Sequence, residues 1–261
     1  MHLRINYLIK FLFGITFLLA VFASCVPIKK QIYLQANEDS TKAEYTRKIV
    51  PEYRLQTNNN LYMRVYSMNE ETYSFFNMGY NNQSNNVYYD AGVYLNSYYI
   101  EKDGYVDLPF IGKLHVVGLT VEEAKSLVQS EIDKYLKKTT VVVKLVNYNV
   151  TLVGEVIKPG QYKIYQDKIS IFEVISMAGD LTTFAKRDDI VLIRKDGNKS
   201  KIHHINMLQA DMLESEFYYV MPDDIIYATP VKGKNFAFDS FPYTLVISSI
   251  SLGLALFAIF K

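Results

Sequence analysis

Hydrophobic and polar positions alternate in short stretches over the first half of the chain. Leu61, Met63 and Val65 are separated by Tyr62 and Arg64, the period of a strand with one buried face. Residues 101–120, EKDGYVDLPFIGKLHVVGLT, hold two strand-like runs, one over Tyr105, Val106 and Leu108 and one over Leu114, His115, Val116 and Val117. Gly104 and Gly112 stand where the chain must turn, and Pro109 confines the first run to a strand end or an edge. The period then changes. Val121, Ala124, Leu127, Val128, Ile132, Tyr135 and Leu136 share one helical face, opened by the capping-box pair Thr120 and Glu123. Residues 139–146 are rich in β-branched side chains, the strongest strand signal in the sequence. This half predicts a β-ribbon that feeds a helix, with further strands around it.

A second series begins at Val150. Val150, Leu152 and Val153 predict a strand, Gly154 a bend or bulge, and Pro159-Gly160 the centre of a type II turn. Ser170 and Glu173 form a second capping box before Ile171, Phe172, Val174, Ile175 and Met177, and Gly179 marks the helix stop. Residues 190–194 and 201–205 flank Asp196-Gly197 as a hairpin, and Ile225, Ile226 and Tyr227 follow a turn at Pro222.

The end of the chain differs. Residues 241–260 are 20 positions without a charge. At about 1.5 Å per residue they reach roughly 30 Å, the hydrocarbon thickness of a bilayer, and so predict a transmembrane helix. The other reading is a buried core helix. Thr244, Ser248, Ser251, Ala255 and Ala258 recur on it as a stripe of small residues. Such a stripe either faces neighbouring helices or a pore, with Ile247 and Ile250 facing lipid, or is incidental in a simple anchor.

Residues 1–24 read as an export signal: Arg4 and Lys10 are basic, residues 11–22 are apolar, and Ala23-Ser24 are small. They precede Cys25, the only cysteine, which excludes an internal disulfide and a multi-cysteine metal site. The alternative is an uncleaved anchor with a buried thiol. Residues 25–48 are polar and weakly periodic, a tether, and residues 67–99 have the Asn-, Tyr- and Ser-rich composition of a loop. With 28 basic and 27 acidic side chains, the chain has no field for gathering nucleic acid. Its 22 tyrosines suit surfaces that meet sugar, as well as ordinary half-buried positions.

Catalytic constellations are not expected. Asp223 and Asp224 are adjacent, so they point apart on a strand or are solvated in a turn. His203 and His204 are likewise adjacent and lack the i, i+4 spacing of a helical metal site. Neither a Gly-rich phosphate loop nor a nucleophile elbow occurs. The chain is expected to use no cofactor and no metal, and to have no enzymatic activity.

The pieces DGYVDLPFIGKLHVVGLTVEEA and the strand after its helix resemble the polysaccharide export domain of outer-membrane polysaccharide export lipoproteins. VTLVGEVIKPGQY, IFEVISMAGDLT and VMPDDIIYA resemble an SLBB domain, a soluble ligand-binding β-grasp. In place of the proline-glycine-aspartate turn usual after the first strand stands Thr57-Asn58-Asn59. The small residues before Cys25 resemble a lipobox, with Phe22 where an aliphatic residue is usual. The resemblance implies an α+β chain: signal peptide 1–24, tether 25–48, polysaccharide export domain 49–147, SLBB domain 148–230 and transmembrane helix 241–260. It implies lipid on Cys25, a periplasmic body at the outer membrane, and a homo-oligomeric ring conducting capsular or extracellular polysaccharide. An inner-membrane polysaccharide co-polymerase is the implied partner. The competing reading is a lipid-anchored binding or scaffolding module without a pore.

Overall fold

The computed structural model describes residues 27–36, 44–46, 52–68, 90–197, 199–231 and 243–259. Cys25, the signal region, part of the tether and the greater part of the Asn-rich loop lie outside them.

The first unit is built on β1 (Asn60–Ser67), with β2 (Tyr98–Tyr99) on one side and β5 (Thr139–Leu145) on the other, all antiparallel. Leu61 pairs with Leu145, Met63 with Val143 and Val65 with Val141, so the alternation in β1 meets the alternation in β5. The helix α1 (Asp90–Leu95) precedes β2. The predicted ribbon is the hairpin of β3 (Tyr105–Leu108) and β4 (Gly112–His115), with left-handed backbone at Phe110 and Gly112. It leads into α2 (Val121–Ile132), where Thr120 and Glu123 complete both halves of the capping box. The helix ends a turn before the predicted stop. Ala124, Val128 and Ile132 are buried against Leu61, Val106, Val116, Val141 and Ile100. Gln129 ties helix to sheet: its amide oxygen accepts from the Val141 N–H at 2.9 Å, and its nitrogen donates to the Thr139 carbonyl at 3.2 Å.

The second unit is a five-stranded mixed sheet in the order β7-β6-β10-β8-β9. The strands are β6 (Asn149–Gly154), β7 (Gly160–Lys163), β8 (Ala185–Asp196), β9 (Lys199–Ile205) and β10 (Ile225–Pro230). Only the β6–β10 pair is parallel. The helix α3 (Ile171–Met177) is capped by Ser170 and Glu173 as its spacing predicts, and it buries Ile171, Val174 and Ile175 in a core with Val150, Leu152, Ile190, Leu192 and Ile226. The type II turn expected at Pro159-Gly160 is corrected. Gly160 lacks positive φ and opens β7 opposite Leu152. Gly154 is where glycine is required: φ is 86°, and a Cβ would lie 2.2 Å from the Ala228 carbonyl oxygen and 2.7 Å from the Tyr227 ring.

The junction between the units is fastened on both sides. Asn147 accepts from the Asn60 N–H at 3.0 Å and donates to the Asn58 carbonyl at 3.0 Å. The buried hydroxyl of Tyr148 donates to the Val220 carbonyl at 2.7 Å in the second unit. Residues 28–35, which precede the first unit, lie against the second: Gln35 forms a parallel bridge with Gln209, and Tyr33 packs on Phe172.

The expected transmembrane helix is corrected. The last helix, α4 (Tyr243–Ile259), has 17 residues, about 25 Å at 1.5 Å per residue, against the roughly 30 Å of a hydrocarbon core. Among the described residues no helix is long and apolar enough to cross a membrane.

Candidate functional site

The paired acidic and basic side chains are separated by the alternation of strand and turn. Asp224 is fully buried and holds Arg194 in a two-point ion pair, Nε to Oδ1 at 3.0 Å and a terminal nitrogen to Oδ2 at 2.7 Å. Its Oδ2 also accepts from the Met221 N–H at 2.7 Å. Asp223, with φ of 65°, turns toward solvent, where Lys195 lies 4.0 Å away. The two carboxylates therefore do not converge on a reacting atom. His203 stacks on Phe217 with ring centroids 4.3 Å apart, while Nδ1 of His204 is 2.6 Å from Asp189. Lys186 and, after it, His204 hold the Asp189 carboxyl below its ordinary range by hydrogen bonding. Among the described residues no three His, Cys, Asp or Glu side chains form a group that could hold a metal ion.

What the geometry offers instead is surface. The inward residues of β6, β8 and β10 are fully buried, as strands packed beneath a helix require. The centre of the outward face is also largely apolar. Tyr227 lies between Val153 and Val191, and Ile225 between Thr151 and Ile193, which in turn pairs with Ile202. Val153, Ile225, Tyr227 and Ile202 are exposed, Ile202 at 62%. An apolar sheet face of this kind offers surface that could be buried against a partner. The sequence contained part of the signal, in the apolar residues Val150, Leu152 and Val153 of β6, Ile190 to Ile193 of β8 and Ile225 to Tyr227 of β10. The strand order that sets those rows side by side was missing.

The edges of this sheet resist further pairing. β9 carries Lys199, Lys201 and two histidines, and β7 is four residues long after Pro159.

On α4, Thr244, Ser248, Ser251 and Ala255 are exposed. Ala258 belongs to the helix. The hydroxyls turn back on their own helix, Ser248 donating to the Thr244 carbonyl at 2.6 Å and Ser251 to the Ile247 carbonyl at 2.9 Å. That leaves the stripe sterically small. Cys25 falls outside the described residues.

Two protein families match the chain. The family described as polysaccharide biosynthesis/export protein matches residues 47–146, and the SLBB domain matches residues 149–203. The first match ends, and the second begins, around Asn147.

Proposed function

We propose, for a chain that belongs to the polysaccharide export protein family and carries its export and SLBB domains in tandem, that it is a subunit of an oligomeric outer-membrane conduit for capsular or extracellular polysaccharide. The observation that carries this reading is the succession of the two domains, which gives the chain a role in polysaccharide biosynthesis or export. Both are export and transport families rather than enzymatic ones, and the subunit is read as contacting sugar without cleaving it. Association between copies draws support from the exposed apolar rows of the five-stranded sheet. The subunit is held at the membrane by lipid on Cys25, its body lies in the periplasm, and it works with an inner-membrane polysaccharide co-polymerase. Thr244, Ser248, Ser251, Ala255 and Ala258 form the face through which the last helices of neighbouring copies approach one another.

Imaging of the purified mature protein in mild detergent tests this reading. A closed ring around a central cavity is expected, and bulky replacement of Ser248 and Ser251 is expected to disturb it. A monodisperse monomer with its lipid attached would overturn the conduit in favour of an anchored scaffold.

A further inference from the structure

Residues 28–35 occupy a formed site on the second unit. The Tyr33 hydroxyl donates to Oδ1 of Asp180 at 2.6 Å, and the ring meets Phe172 edge-on with centroids 6.0 Å apart. The Arg187 guanidinium carbon lies 5.3 Å from the centre of the Tyr33 ring. Arg187 is buried and donates to the carbonyls of Thr182 at 3.2 Å and Leu181 at 3.3 Å, but its Nε has no hydrogen-bond partner. The π face of Tyr33 is thus a compensating partner for a charge withdrawn from water.

Backbone bonds continue the contact. The Leu34 N–H donates to the Met207 carbonyl at 3.2 Å, the Gln35 N–H to the Leu208 carbonyl at 2.6 Å, and the Ala210 N–H to the Gln35 carbonyl at 3.1 Å. The Gln35 amide nitrogen donates to the Lys29 and Ile32 carbonyls at 2.5 and 2.7 Å, which curls the segment before it docks. Main-chain bonds together with one side-chain pocket are a way in which proteins hold short peptide segments, the first giving affinity and the second specificity.

From this we infer that the second unit carries a binding site for a short, curled, tyrosine-bearing segment, made of Phe172, Asp180, Arg187 and the backbone of residues 207–210, and that residues 28–35 are its resident ligand. Tyr33 is the specificity-determining residue. Phe172 and Arg187 accept its ring, and Asp180 selects a hydroxylated ring over a plain one. The site holds the segment next to Cys25 on the second unit, although residues 47–146 of the first unit stand between them in sequence.

The test uses the full mature chain with a protease site placed between residues 36 and 44. After cutting, the released segment is expected to co-elute with the remainder of the chain. A fluorescent synthetic peptide of residues 26–36 should replace it. A peptide with Tyr33→Ala should compete at least tenfold less well, and one with Tyr33→Phe several-fold less well. Asp180→Gly in the chain, a change the left-handed backbone there accepts, takes away the acceptor and should remove the preference for Tyr over Phe. Hydrogen exchange at residues 207–210 provides a second measurement, with protection expected to fall when the Tyr33→Ala peptide replaces the native one. Loss of the cut segment on dilution with the remaining fold intact would overturn the inference, as would equal competition by all three peptides. Neither result bears on whether copies form a ring.

Discussion

Tyr53 shows how one side chain at the join between the units responds to pH. Its hydroxyl donates to Oδ1 of Asn59 at 3.0 Å. Burial is the main cause that raises its phenol from 10.0 to about 12, and the nearby carboxylates of Asp223 and Asp224 add to the effect against the Asn59 bond. The folded state therefore favours the neutral phenol. Its contribution is complete below pH 10 and is lost as pH rises through about 12. A shift of that size corresponds to an effect on the order of 2 kcal/mol. Burial also raises the phenols of Tyr33 and Tyr148, so the wild-type chain should lose stability steeply above pH 10. Urea midpoints measured from pH 9 to 12 should show a shallower alkaline loss for Tyr53→Phe. An unchanged slope would remove Tyr53 from this account.

Both longer helices of the two folded units begin with the same device, and it was legible residue by residue. Thr120 with Glu123 and Ser170 with Glu173 each form the reciprocal bonds that their three-residue spacing predicts. Ser170→Ala should cost about 1 kcal/mol of stability, read as a lower urea midpoint with an unchanged slope. The hairpin of β3 and β4 was equally visible, because its glycines and apolar runs are local signals. Less visible was β8, predicted from residue 190 and found to begin at Ala185. Its first residues, Ala185, Lys186 and Arg187, are mostly polar, and pairing of Ala185 with Pro230 supplies what local pattern does not. Pro159-Gly160 misled for the opposite reason: a good turn sequence was overridden by the pairing of Gly160 with Leu152. In α4 the uncharged run was real, but composition alone overstated the length of helix. The site for Tyr33 was hidden altogether, since Tyr33 and Asp180 are 147 positions apart and no periodicity links them.

For the molecule as a whole, the two cores meet at a short, pinned connection. Leu145 packs against both clusters, Asn147 bonds the backbone of the first unit, and Tyr148 bonds that of the second. Exposed ion pairs between Lys144 and Asp167 and between Lys168 and Glu52 bridge the same region, but exposed pairs of this type contribute little. Asn147 is the stronger link because its two bonds satisfy backbone groups. Asn147→Ala should cost about 1–3 kcal/mol. Calorimetry of the Asn147→Ala chain should then resolve two transitions where the parent shows closer coupling. A single transition shifted as a whole would place the coupling elsewhere in the connection.

The residence of Tyr33 on the second unit also sets an order of events. The tyrosine leaves the ribosome first among its partners, and Asp180 follows 147 positions later. The first unit closes on contacts within its own sequence, the pairing of β1 with β5 included, whereas the bridge to Gln209 spans a loop containing that entire unit. Docking of residues 28–35 is therefore a closing step in maturation, and until it occurs Arg187 lacks the ring that covers it.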